Sequence, residues 1–188
     1  MTAPRILAFA GSAKKASLNK KLIRIAANMA NEQGADVNLV DLADFEAPVF
    51  NEDYEAKHGL PNSMKQLKVM MVSADGFLIA TPEYNGFFPA LIKNTFDWCT
   101  RVEKGETPMA PTTGKRVGIV AASPGGRGGI RAIPRLRDCL AEYGIMAVPG
   151  FATVPMAGDA FGEDGDLNNE ASRNQVAGVV ERLLAALR

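Results

Sequence analysis

Cysteine and histidine are nearly missing from this chain. Its two cysteines, Cys99 and Cys139, stand 40 positions apart, which fits neither a CxxC redox pair nor zinc-ligand spacing. They read as small core or interface thiols, and no metal site is expected. The single histidine, His58, lies in a polar stretch beside Gly59 and Pro61 that reads as a mobile loop. A Ser/His/Asp or Cys/His machine would have only that one base, so none is expected. Net charge is missing too. The 21 basic and 21 acidic residues cancel, and bulk electrostatics recruits neither nucleic acid nor an acidic membrane. Long apolar runs are also lacking: Met1 to Arg5 carries no signal-peptide core, and no later segment could cross a bilayer. The expected location is the cytoplasm.

What is present fits an ordinary folded domain. At 188 residues, with 47% hydrophobic and 22% charged, the chain suits a single domain spanning 1–188. Such a domain buries about 70% of the surface its unfolded chain exposes, without a disulfide or metal staple. Disorder and coiled coil are excluded by the same figures.

Short apolar runs alternate with helical patterns from end to end. Strands are predicted at Arg5 to Ala10, Asp36 to Leu42, Gly76 to Thr81, Arg116 to Ala122 and Ala147 to Val154, the last broken by Pro149 and Gly150. Between them, Leu18, Leu22, Ile25, Ala26 and Met29 form one helical stripe. Further helices are predicted near Asn62 to Ser73, Leu91 to Thr100, from about Ile133 to the Gly144 stop, and Gln175 to Leu187. Val102 to Gly114 reads as a long surface loop. Alternation of this kind implies right-handed crossovers and a mainly parallel sheet of about five strands, covered on both faces in a three-layer α/β/α sandwich. The loops that follow the strands then gather at one sheet edge, where ligands bind.

Three of those loops are unusual. The first runs from Gly11 through Ser12, Lys14, Lys15 and Ser17 to Leu18 and Asn19. It has neither the GxGxxG fingerprint nor a GK[ST] ending. It does bring two hydroxyls, an amide and two lysines to a helix amino terminus, a setting that suits a phosphate. Ser17 equally suits a helix cap, and the loop alone leaves both readings open. The second loop, Pro82 to Pro89, carries Tyr84, Phe87 and Phe88, any of which could lie against a planar ligand or fill the core or an oligomer interface. The third, Ser123 to Gly129, holds four glycines in five residues, and backbone without side chains can closely approach a flat ring.

Taken together, the segments GSAKKASLN, PEYNGFFPALIKNTFDW and SPGGRGGIRA resemble those of the NADPH-dependent FMN reductase family of flavodoxin-like fold. That family includes bacterial quinone, chromate and azo-dye reductases, and the resemblance covers most of the chain. It implies strand order 2-1-3-4-5, FMN as cofactor and NADPH or NADH as co-substrate. It also implies that Ser12, Ser17 and Asn19, with Gly11, Lys14 and Leu18, hold the FMN phosphate. Pro82, Glu83, Tyr84, Asn85 and Gly86 would border the isoalloxazine, and Ser123, Pro124, Gly125 and Gly126 its pyrimidine end. The family commonly has arginine where Lys14 stands and a small residue where Phe87 stands. No amino-acid nucleophile is needed, because the flavin N5 carries hydride in ping-pong turnover between nicotinamide and a quinone, chromate, azo-dye or flavin acceptor. Arg127 would be a contact to a phosphate of the nicotinamide nucleotide or a solvated bystander, and Glu83 a proton donor or a capping or backbone-contact group. The alternative, an FMN-binding electron carrier acting on protein partners, fits poorly with a balanced charge, since such carriers steer with acidic surfaces. The resemblance further implies a homodimer or homotetramer.

Overall fold

The computed structural model describes residues 2–188. Its strands are β1 (Arg5–Ala10), β2 (Asp36–Asp41), β3 (Gly76–Ala80), β4 (Arg116–Ala122), β5 (Met146–Ala147) and β6 (Ala152–Val154). Its helices are α1 (Leu18–Glu32), α2 (Glu52–His58), α3 (Asn62–Ser73), α4 (Ala90–Cys99), α5 (Ala132–Glu142) and α6 (Glu170–Leu187). All strand pairs are parallel, and the order is β2-β1-β3-β4-β5, with β6 also paired to β4. The expected order and the three-layer α/β/α sandwich are both observed.

Side-chain alternation along each strand builds two cores. Ile6, Ala8 and Ala10 of β1 face α1 and α6, where Leu22, Ala26, Val179 and Leu183 pack with them. Leu7 and Phe9 face the other way, against Met64, Phe96 and Leu136 from α3, α4 and α5. Because β2 and β3 lie on opposite sides of β1, the chain leaves β1 in one direction and enters β3 in the other. The switch point falls over the carboxyl ends of β1 and β3.

The last strand is broken at Pro149 and Gly150 as expected, into β5 and β6, and two other expectations need correction. Gly150 sits at φ +78°, and a Cβ there would come within 2.9 Å of the Arg182 guanidinium, whose Nε donates to the Pro149 carbonyl. The polar stretch around His58 is not a mobile loop but α2, of which His58 is the last residue. Its signals are local: Asn51 Oδ1 accepts from the Asp53 and Tyr54 amides, acids fill the first turn, and Gly59 ends it at φ +73°. No residue of α2 is buried, so it lacks the apolar stripe by which a helix is recognised in sequence. Finally, α6 starts at Glu170, capped by Asn169, five residues before the predicted Gln175. Among the described residues, no helix is long and apolar enough to cross a membrane.

Candidate active site

The three unusual loops follow β1, β3 and β4, three adjacent strands, and meet at their carboxyl ends. In the first loop Gly11 serves packing, since a Cβ there would strike Ile92 at 2.4 Å. Ser12 is buried, and its Oγ accepts from the Lys14 amide at 3.3 Å. Lys14 and Lys15 are exposed. Ser17 has the extended backbone of a helix cap, and its Oγ accepts from the Lys20 amide at a long 3.4 Å. The cap reading is therefore realised, while the hydroxyl proton stays available. The amides of Leu18 and Asn19, at the first two helical positions, have no acceptor within the helix.

Asn19 departs from expectation. Its carboxamide is turned away from the loop and paired with the end of β4: Nδ2 donates to the Ala122 carbonyl and Oδ1 accepts from the Ala122 amide, both at 2.9 Å. The side chain is buried and stands in for the ladder partner that β4 lacks there on its β3 side, the β6 side being paired through Val154. Asn19 thus locks the start of α1 to the end of β4, leaving its backbone amide rather than its side chain at the helix start. Lys20, next along, bonds Asp41 Oδ2 at 2.5 Å and so faces β2.

The second loop is a tight hairpin. Tyr84 and Phe87 exchange backbone hydrogen bonds of 2.9 and 3.0 Å across Asn85 (φ 53°) and Gly86 (φ 82°). Positive φ at both central positions is the type I′ pattern that Asn-Gly favours. Pro82 is buried beneath it, whereas Tyr84 and Phe87 are about half exposed at its base. Phe88 is the one aromatic of the three that joins the core.

Glu83 is claimed by Arg131, a residue the sequence reading did not single out. One carboxylate oxygen accepts from the Arg131 amide at 2.9 Å and the other from its Nε at 2.6 Å, with a further contact from a terminal nitrogen. Burial pushes the Glu83 carboxyl up, but the Arg131 bonds outweigh this and hold it below the ordinary carboxylate range. Of the two roles expected for Glu83, the capping role at the start of α5 is the one observed. The two thiols are equally quiet. Burial pushes Cys99 up to about 12 and raises Cys139 as well.

In the third loop the glycines divide into two kinds. Gly128 (φ +60°) and Gly129 (φ +88°) are demanded by the fold, as a Cβ on Gly128 would lie 2.9 Å from the Pro155 nitrogen and one on Gly129 3.0 Å from the Ala121 Cβ. Gly125 and Gly126 are not. Neither has positive φ; a Cβ on Gly126 would meet nothing within 4 Å, and one on Gly125 only the Ser123 Oγ at 3.6 Å. Ser123 Oγ accepts from the Gly125 amide, and the segment after β6 is bonded on through Met156 to the Gly125 carbonyl and Ala157 to the Ser123 carbonyl. These last bonds join stretches 31 and 34 residues apart, and no motif announced them. The result is a rigid, side-chain-free ledge bordering open space, which is what close approach by a flat ring requires. The residues present fit FMN: a buried serine loop at a helix start for its phosphate and a bare ledge for its ring.

Such a site on a parallel sheet of this order defines a flavodoxin-like nucleotide-binding protein of the flavin-reductase class. The chain belongs to the NADPH-dependent FMN reductase family, whose model matches residues 4–159. It is 29% identical over 173 residues to an NAD(P)H-dependent FMN reductase of Pseudomonas aeruginosa, covering 92% of this chain and 89% of that one. To a quinone reductase of Escherichia coli it is 32% identical over 145 residues, covering 77% and 73%. Among solved structures it resembles FerB, a flavoenzyme NAD(P)H:(acceptor) oxidoreductase from Paracoccus denitrificans, with TM-score 0.82, 27% identity and coverage of 98% and 97%.

Proposed function

We propose that this chain, acting as one FMN-binding domain over residues 1–188, is an NAD(P)H-dependent reductase of quinones or related acceptors such as chromate, azo dyes or free flavin. The observation that carries the reading is the bare ledge at Gly125 and Gly126, glycines the fold itself does not require, at the same sheet edge as the loop that holds buried Ser12 and Ser17. When bound, FMN supplies the redox chemistry, taking hydride from the nicotinamide and passing it to the acceptor.

The protein supplies position and electrostatics. Ser12, the Ser17 hydroxyl and the Leu18 and Asn19 amides hold the phosphate at the positive end of α1, with Lys14 adding charge from solvent. Lysine at position 14 is a point charge rather than a planar fork, so it contributes attraction more than orientation. The Gly125 and Gly126 backbone borders the pyrimidine edge, with Ser123 and Pro124 setting its path. Pro82 and the Tyr84–Phe87 hairpin, with Asn85 and Gly86 at its tip, border the ring on the other side. Glu83, held as a carboxylate by Arg131, fixes the hairpin to α5 and does not serve as proton donor at neutral pH. A balanced charge and the reductase family both count against the electron-carrier alternative.

Location in the cytoplasm and a homodimer or homotetramer belong to the same proposal. Exposed apolar side chains such as Val69, Val102 and Phe151 supply surface that an oligomer would cover. Purified protein should be yellow, or should quench FMN fluorescence on titration, and NADPH or NADH should bleach the bound flavin without oxygen. Initial rates with quinones should give parallel double-reciprocal lines. A colourless protein indifferent to FMN refutes the reading, and bound FMN that neither nucleotide bleaches favours a carrier.

A further inference from the structure

Arginine is concentrated beside the glycine loop, at the start of α5, where local electrostatics disfavours it. Arg127, Arg131 and Arg135 recur every four residues through the turns that wind from the glycine loop into α5, and Arg131 is that helix's cap residue. The positive end of a helix dipole repels cations. One carboxylate answers all three: Glu83 binds Arg131. Among the described residues, neither Arg127 nor Arg135 joins an ion pair. A chain whose charges cancel overall therefore carries a local excess of positive charge here.

Arg135 is tied to the hairpin. Its terminal nitrogen donates to the Arg131 carbonyl at 2.7 Å, and its guanidinium carbon lies 5.6 Å from the centre of the Phe87 ring. Phe87 leans on buried Phe88 at 4.9 Å yet stays 50% exposed. An open aromatic ring beside guanidinium groups that have no carboxylate partner is the chemistry that recognises a purine nucleoside carrying a phosphate: ring on ring, fork on phosphate. A phosphate monoester concentrates nearly two charges on one group, whereas each phosphorus of a dinucleotide's pyrophosphate bridge carries one. Two arginines on this turn without a carboxylate partner match the monoester.

We propose that Arg127 and Arg135 hold the 2′-phosphate of NADPH, with Phe87 as the surface on which its adenine rests, so that these side chains discriminate NADPH from NADH. The assignment builds on the NAD(P)H-dependent reading above. The test uses FMN-loaded wild type, R135Q, R135K and the R127Q/R135Q pair. Calorimetric titration with adenosine 2′,5′-bisphosphate and with 5′-AMP reads binding directly. Wild type should prefer the bisphosphate at least tenfold. The double variant should lose that preference, and R135K should keep part of it. In steady state the ratio of kcat/KM for NADPH to that for NADH should fall about tenfold or more in the double variant, the loss expected for a charge-assisted hydrogen bond. An unchanged ratio, or equal bisphosphate binding in wild type and double variant, overturns the assignment while leaving the reductase reading intact. Failure of both nucleotides to bleach the wild-type flavin overturns the reductase reading, and the assignment with it.

Discussion

Replacing Gly128 by alanine and Gly126 by leucine tests the division of labour within the glycine loop. At Gly128, φ +60° costs a residue with a side chain about 1–2 kcal/mol. The added methyl would also lie 2.9 Å from the Pro155 nitrogen and 3.0 Å from the Val154 carbonyl carbon, backbone atoms that have no rotamer by which to move aside. Overpacking of that kind adds about 1–3 kcal/mol, so Gly128→Ala should destabilise by about 2–5 kcal/mol. In a domain of this size each kcal/mol shifts Tm by roughly 2–4 °C, which predicts a fall of about 4–20 °C. At Gly126 neither penalty applies, and Gly126→Leu should change stability by less than about 0.5 kcal/mol. Its side chain would instead occupy the open space proposed for the flavin edge and weaken FMN binding by about a hundredfold or more. Unfolding is followed in FMN-stripped protein, because bound ligand adds stability by mass action; affinity comes from quenching of FMN fluorescence. Wild-type FMN affinity in Gly126→Leu would refute the ledge as the ring's seat, and wild-type Tm in Gly128→Ala would refute the close approach to the segment after β6.

Asn19→Ala strips two buried 2.9 Å bonds from the Ala122 backbone, and should cost about 2–4 kcal/mol while speeding amide exchange at Ala122; unaltered exchange there would disprove the tie. Ser17→Asp keeps a good helix cap and complements the dipole, so the fold should survive while FMN affinity drops at least a hundredfold by repulsion of the phosphate; unchanged affinity would move the phosphate elsewhere. Glu83→Gln should cost about 1 kcal/mol, discounted because Arg131 is half exposed. Since the folded carboxyl sits below its ordinary value, its stabilisation is complete above the unfolded carboxylate range and is lost as pH falls through the folded pKa. The stability gap between wild type and Glu83→Gln should hold steady from pH 5 to 8 and close below about pH 4; a gap that varies near neutrality would contradict the clamp.

The alternation of strands with helices and the position of all three loops were legible in the sequence because both rest on period: apolar runs such as Arg5 to Ala10 and stripes such as Leu18 to Met29 report burial directly, whereas the strand order followed only from the family resemblance. Where structure rests on something other than burial, the reading fell short. The helix ending at His58 is held by a cap and charge order with no apolar face. The break at Pro149 and Gly150 was visible, but not that both flanking pieces would still pair with β4. At the site, residue types were readable and partners were not. Asn19 was expected at the phosphate because amides suit phosphate, yet its side chain faces a strand end 103 residues away. Glu83 and Arg131, 48 positions apart, form a pair that no local spacing reveals.

Asn19 also bears on how the two walls of the proposed site keep their spacing. With its carboxamide bolting the first helix to the end of β4, that spacing is set by the protein's own hydrogen bonds. Under the proposed function, little of the flavin's binding energy would then be spent on ordering the walls.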